Sequence, residues 1–181
     1  MINKIQIEQE IVRVVERITG ILNSNIRISY QTSGMPSIEA DTDYCFVSLS
    51  FFNNAYTSPI ETKFDAINEV EQYQATRGIV ANLVFYGLNA FENASKVKIL
   101  TKDNSVMKNL RRENIYLICD TEEPRRVPVS INQQWYDQVY LDLRFYQKIM
   151  YNTDRHYIDS VEIKVITEQN NEDITISKEE N

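Results

Sequence analysis

The feature that most constrains this chain is the alternation in Gln134–Tyr146, QWYDQVYLDLRFY. Val139, Leu141, Leu143 and Phe145 fall on one side; Tyr140, Asp142, Arg144 and Tyr146 fall on the other. A period of two predicts one long strand in a sheet with one dry face and one face left for water or a partner. Valine, tyrosine and phenylalanine supply the matching strand propensity. Trp135, the only tryptophan, stands at the start of that strand. Its large amphipathic ring suits either a core anchor or an interface, and the core is the preferred reading. Ile79–Tyr86, IVANLVFY, is the expected neighbouring strand.

A chain of 181 residues, 43% hydrophobic and 25% charged, is long enough to bury a core as one soluble domain. Four glycines leave little room for the Gly-rich loops that cradle phosphates or dinucleotides. Net charge is −7, and residues 168–181 hold four Glu and one Asp against one Lys. The remaining body is close to −3, which argues against gripping nucleic acid through clustered cations but allows DNA to slide past an acidic wall. Cys45 and Cys119 lie in strand-like runs and read as buried free thiols. The start, MINKIQIEQE, has no apolar signal core and no run approaches membrane-spanning length, so assembly in the cytoplasm is expected.

Along the chain, Ile7, Ile11, Val14, Val15, Ile18 and Leu22 mark an amphipathic helix over 5–22, closed by Gly20 and Asn23–Asn25. Strands follow at 26–30 and 43–52, separated by a loop through Gly34 and Pro36. Periodicity vanishes over 53–71, which reads as an extended hairpin or, preferably, as an arm that orders against a neighbour. After the 79–86 strand, Phe91, Ala94 and Val97 mark a helix face running towards Leu100. Asp103–Ser105 then cap a second short helix carrying Val106, Met107 and Leu110. A brief strand at 115–119 and a turn-rich crossing, TEEPRRVP, lead to the central strand. A last strand is expected at 158–166. The tail, 168–181, reads as disordered apart from the alternating pair Ile174 and Ile176. Strands grouped in runs indicate α+β, a mostly antiparallel sheet packed with an N-terminal helix and a central helix pair.

The residues offer little chemistry. His156 is the only histidine and sits in a polar turn beside Asp154 and Arg155, where a solvated ring is the better reading than a general base. A metal site built on several imidazoles is impossible. Glu39, Asp41 and Asp43 alternate as Ca²⁺ or Mg²⁺ ligands do, but without a glycine turn or a distal glutamate they read as a charged loop. Glu122 and Glu123 beside Arg125 and Arg126 read as a solvated turn that pairs its own charges. Tyr136, Tyr140 and Tyr146 share the polar face of the central strand with Asp142 and Arg144. That face reads equally as a surface covered by a helix or the N-terminal segment, and as an oligomer interface. Stacking of single-stranded nucleic acid would require a basic groove that this sequence lacks. No catalytic, cofactor-binding or metal-ligating residue is assigned, and no cofactor is expected.

The order of elements then becomes informative. An N-terminal helix, a loop with Pro36, DYCFVSLSFF, the succession QYQATRGIVANLVFYGLNAFENASKV and the lone tryptophan in NQQWYDQVYLDLRFY before IDSVEIKV together resemble the neck or tail terminator proteins of long-tailed bacteriophages. The resemblance spans residues 5–166 and rests on element order, the FYGLNA turn and the tryptophan-led strand, with no catalytic signature. It implies a tail-terminator-like domain over 1–167 with a flexible acidic tail at 168–181. It further implies a structural virion protein, not an enzyme, whose ring, usually of six copies, caps the tail tube and joins it to the head. Implied partners are other copies of the chain, the tail tube protein, the sheath and a head-completion adaptor; DNA would pass through the lumen without specific binding, and no membrane is involved. The alternative is another connector, such as that adaptor or a tube-like subunit. Residues 53–71 and the acidic tail depart from the family pattern. The unperiodic arm and the tyrosine-rich face are candidates for the two patches that a ring requires.

Overall fold

The computed structural model describes residues 3–29, 39, 41–65, 67–119, 122–131, 134–154, 160–166 and 171–177. The chain separates into two compact units, Met1–Ile60 with Gln74–Ile149 and Glu61–Tyr73 with Met150–Asn181.

Helix α1 spans Lys4–Thr19. Asn3 accepts from the Gln6 backbone N–H at 2.9 Å while the Gln6 side chain accepts from the Asn3 N–H at 2.8 Å, a reciprocal capping box. Gly20, at φ 75°, ends the helix in the left-handed conformation and donates back to the Glu16 carbonyl. A 3-10 turn, Asn23–Asn25, leads to β1, Ile26–Ile28, which runs parallel to β2, Tyr44–Phe52. Hairpin strands β3, Ile60–Asp65, and β4, Val70–Tyr86, follow. Next come α2, Ala90–Leu100, α3, Lys108–Arg112, and β5, Ile115–Leu117. Strands β6, Arg125–Arg126, β7, Val129–Ile131, and β8, Gln134–Tyr136, precede β9, Gln138–Asp154. The last two, β10, Ser160–Ile166, and β11, Asn171–Ser177, pair with each other antiparallel.

The main sheet has the order β1-β2-β4-β9-β5, with β3 added on β4 and β6 on β9. Antiparallel pairing dominates, and the fold class is α+β, as the grouping of strands implied. Alternation dictates the core. Cys45, Val47 and Leu49 of β2 lie opposite Phe85, Leu83 and Ala81 of β4. These and Val139, Leu141, Leu143 and Phe145 of β9 are all buried. Ile7, Ile11 and Val15 of α1, Ala90, Ala94 and Val97 of α2, and Leu110 of α3 belong to the same cluster. All three helices therefore cover one face of the sheet.

Several expectations are corrected. The central strand is not continuous from Gln134. Val129–Ile131 pairs with Gln134–Tyr136, the Val127 N–H donates to the Gln138 carbonyl, and Arg125–Arg126 pairs with Val139–Tyr140, all in one register. Residues 125–140 thus form a hairpin that merges into β9, and β9 extends to Asp154. The segment 53–71 is not an arm without structure of its own. Its second half is the β3–β4 hairpin, whose turn the Asp65 carboxylate organises by accepting from the Ile67 and Asn68 backbone N–H groups and the Asn68 amide.

On α2 the expected apolar face is rotated, since Phe91 and Leu100 are exposed while Ala90, Asn93, Ala94 and Val97 are buried. The buried stripe is made of small side chains, Val97 and Asn93, whose amide donates to the Asp43 carboxylate just before β2. Residues 171–177, expected to be loose apart from Ile174 and Ile176, form β11, in which Ile174 and Ile176 are the register partners of Ile163 and Val161. The loop through Gly34 and Pro36, Tyr30, and the turn bearing His156 lie outside the described residues.

Asp43 explains why α2 starts where it does. The N-cap Asn89 makes no side-chain cap of its own. Instead, the Asp43 carboxylate, just before β2, accepts from the Asn89 backbone N–H at 3.1 Å and from the Asn89 and Asn93 amides at 3.0 and 3.2 Å. A negative charge at a helix N-terminus satisfies open donors and complements the helix dipole. Gly87, at φ 110°, permits this approach, because a Cβ there would meet the Asp43 carboxylate and lie 2.8 Å from the Thr42 carbonyl. Asp43→Ala should cost about 1–3 kcal/mol, the range for orphaning buried donors, because Asn93 is buried. Asp41→Ala, at an exposed position, should stay within about 0.5 kcal/mol. Urea titration of both variants checks this, and equal losses would refute the capping role.

Candidate assembly interface

With the helices on one face, the opposite face of β2, β4 and β9 presents the residues of the other parity, and aromatic rings dominate both of its ends. At the first end Phe46 of β2 packs edge-on against Tyr86 of β4, ring centroids 5.5 Å apart at 85°. The Gln138 side chain, buried, donates to the Tyr86 hydroxyl at 2.7 Å and the Tyr140 hydroxyl at 2.8 Å. One amide therefore sets the position of two tyrosines. Burial pushes the Tyr86 hydroxyl pKa up, with Tyr140 adding to the rise and the Gln138 hydrogen bond opposing it.

At the second end Tyr146 of β9 meets Tyr56, centroids 4.8 Å apart, and Phe52, 6.1 Å apart. Its hydroxyl accepts from the Asn54 amide at 2.9 Å. The carbonyl oxygen of the same Asn54 side chain accepts from the Tyr56 and Thr57 backbone N–H groups, an Asx-type turn that brings the loop after β2 onto the sheet. Between the two aromatic ends lie Asp142 and Arg144. Arg144 pairs with Glu122 at 3.0 Å. Burial raises the Asp142 pKa, Glu122 raises it further, and Arg125 and Arg144 pull it down.

Of the readings of this face, cover by a helix does not describe it, since α1, α2 and α3 lie on the other side. Rings held by the buried Gln138 amide and the turn-forming Asn54 amide, with a charged centre, match the tyrosine- and arginine-rich character of protein interfaces.

Trp135 is not a core anchor. It sits in β8 opposite Ser130 and is 76% exposed, because a two-stranded hairpin has no second layer to bury so large a ring. Around the base of the same hairpin, Arg126 lies 5.6 Å over the Phe91 ring and 3.0 Å from Asp137. Leu88, Phe91 and Val127 are exposed too.

The Glu122–Arg126 turn does not pair its own charges. Glu122 reaches Arg144, Glu123 reaches Lys98 and Arg126 reaches Asp137; strand pairing at Arg125–Arg126 turns these side chains away from one another. Cys45 is buried and its thiol pKa is pushed up by that burial, whereas Cys119, expected to be buried, is exposed. Among the described residues no cluster of three or more His, Cys, Asp or Glu is placed to hold a metal ion, and no helix is long and apolar enough to cross a membrane. Sequence reading missed Asn54, Phe46, Tyr86 and Gln138. Gln138 shares the parity of Tyr140 within β9, whereas Phe46, Tyr86 and the Asn54 turn depend on tertiary contacts.

Two outcomes follow. Trp135→Ala should leave the subunit folded, with a stability change inside about 0.5 kcal/mol as for other exposed sites, measured by circular dichroism and urea titration. A loss of several kcal/mol would restore the core reading. For Asp142 the folded state raises the pKa, so its favourable contribution is present below the ordinary value of 3.8 and is lost as pH rises through the raised value. Asp142→Asn should therefore melt above the wild type at pH 7 and lose that advantage as pH falls towards 3.8. A wild type that melts higher at neutral pH would show that attraction to Arg125 and Arg144 outweighs burial.

No curated protein matches this chain. The phage neck terminator protein family matches residues 6–172, nearly the whole chain. That span includes both hairpins, the Asp43-capped α2 and the aromatic sheet face, and the family role is a structural one in the virion neck. The chain belongs to the phage neck terminator protein family.

Proposed function

We propose that six copies of this chain close into a ring that caps the phage tail tube and offers the head side its docking surface. A tube made by stacking identical rings has no intrinsic reason to stop, because each new end repeats the last. Something must bind that end and present no further copy of it. Membership of the neck terminator family carries the reading, and the fold supports it. The sheet face bearing Phe46, Tyr86, Tyr140 and Tyr146 provides a preorganised aromatic patch, positioned by buried or turn-forming amides. Short strands β1 and β5 end the main strand path and supply backbone groups able to pair with a neighbouring sheet.

The partners in this reading are the tail tube protein, the sheath where one is present, and a head-completion adaptor, with assembly in the host cytoplasm. Net charge of −7 suits a lumen through which DNA passes without sticking, since retention would need cationic contacts. The chain then works by shape and occupancy, without a chemical step.

Deleting the gene should give filled heads beside separate tails that are abnormally long or unfinished at the upper end. Electron microscopy of the lysate tests this. Normal tails already joined to heads would overturn the terminator role.

A further inference from the structure

Two hairpins of this chain carry opposite charge and matching apolar groups. In residues 60–73, Glu61, Asp65, Glu69 and Glu71 stand against Lys63, and Ile60, Phe64 and Ile67 are exposed, Ile67 at 93%. Phe64, Val70, Asp65 and Asn152 help line a groove of about 480 Å³ there. The hairpin at 125–140 holds Arg125 and Arg126 against Asp137, with Trp135 exposed one step from its tip and Val127 exposed near its base. Tryptophan and arginine are the residue types on which binding energy concentrates. An indole has an apolar body and one N–H donor, which fits a groove lined by Phe64 and Val70 together with polar side chains such as Asn68, Gln72 and Asn152. Among the described residues, Trp135 and Ile67 are both exposed in a single copy.

We propose that the Trp135 hairpin of one copy docks on the acidic hairpin of the next, with Trp135 seated in the groove beside Phe64. The occupant is thus a second copy of this chain. The contact joins two different patches, the heterologous kind that propagates around a ring, and opposite charges set its orientation. This inference rests on the ring reading and gives it a specific joint.

Trp135 is the only tryptophan, so its emission reports directly on the proposed contact. As the full-length protein is concentrated, light scattering should show the mass rising. Trp135 emission should shift to the blue and lose iodide quenching over the same range. Trp135→Ala and Phe64→Ala, both at exposed positions, should keep the wild-type circular dichroism and weaken self-association by at least about thirtyfold. Mixed in equal amounts, these two variants retain one intact joint between them, so they should form pairs and nothing larger.

A protein that stays monomeric throughout, that assembles with Trp135 emission unmoved, or whose Phe64→Ala variant assembles normally would overturn the proposal. So would the absence of pairs in the mixture. Such a failure leaves the terminator role intact if the deletion lysate still shows unjoined tails. Normal joined virions in that lysate remove the terminator role while a blue shift and mixed pairs keep the joint.

Discussion

Everything in the larger unit depends on one constraint: the sheet has a single dry face. Cys45, Val47, Leu83, Phe85, Leu141, Leu143 and Phe145 all point to the side where α1, α2 and α3 lie. Burying an aliphatic or aromatic side chain contributes about 1.5–3 kcal/mol, so a one-residue slip of β9 would expose four such groups at once. Register is therefore fixed by the core. The same rule fixes what remains outside, since residues of the other parity have no helix to cover them. The aromatic face is a geometric consequence of the core, and its composition is the part free to serve a partner.

Holding that face in shape takes polar groups at its ends. Gln138 is buried on the outer side and serves two tyrosine hydroxyls; Asn54 organises its own turn and holds Tyr146. A buried amide of this kind costs desolvation unless its partners are in place. Once satisfied, it fixes ring orientation more narrowly than apolar packing alone. Asp43 plays the corresponding part on the helix side, anchoring α2 to the start of β2 through Asn89 and Asn93. Gly87 and Asn89, within the FYGLNA turn, owe their identities to that one carboxylate.

The core was legible because its signal is periodic. Alternation at Val139–Phe145 and the 3.6-residue repeat of α1 each encode a face by themselves, and each is buried as the pattern implies, except that Leu22, expected on the same stripe, lies beyond the end of α1 and is exposed. What sequence could not give depends on contacts between distant segments. Trp135 has the composition of a core residue, and only the pairing of Ser130 with it reveals a hairpin flank with no second layer. Phe91 was expected on one face with Ala94 and Val97, but the buried stripe runs through Ala90, Asn93, Ala94 and Val97 and leaves the larger ring exposed. Glu122 and Glu123 found partners on β9 and α2, not beside them in sequence. The segment 53–71 showed no periodicity because β3 is exposed along its whole length; a strand with no dry side leaves no pattern to read. Of the candidate interface, Tyr140 and Tyr146 were visible as a parity class, while Phe46 and Tyr86 became its members only once β2, β4 and β9 were seen side by side.

Exposure without periodicity is itself informative about how such a subunit divides its work. A closed ring consumes two different patches on every copy, one for each neighbour. Stopping a tube consumes a third, which must match the tube and present nothing like it on the far side. A domain with all its apolar groups on one buried face has no patch to spare, whereas this chain places large exposed groups on both hairpins and aromatic rings on the sheet face. Under the proposed ring, the exposed groups of the two hairpins serve the lateral joints. Under the same proposal the aromatic sheet face, backed by the helices, is the surface matched to the tube end. Placing the two proposed tasks on different elements would let either change without loss of the other, since the core alternation fixes the register and not the composition of the exposed groups.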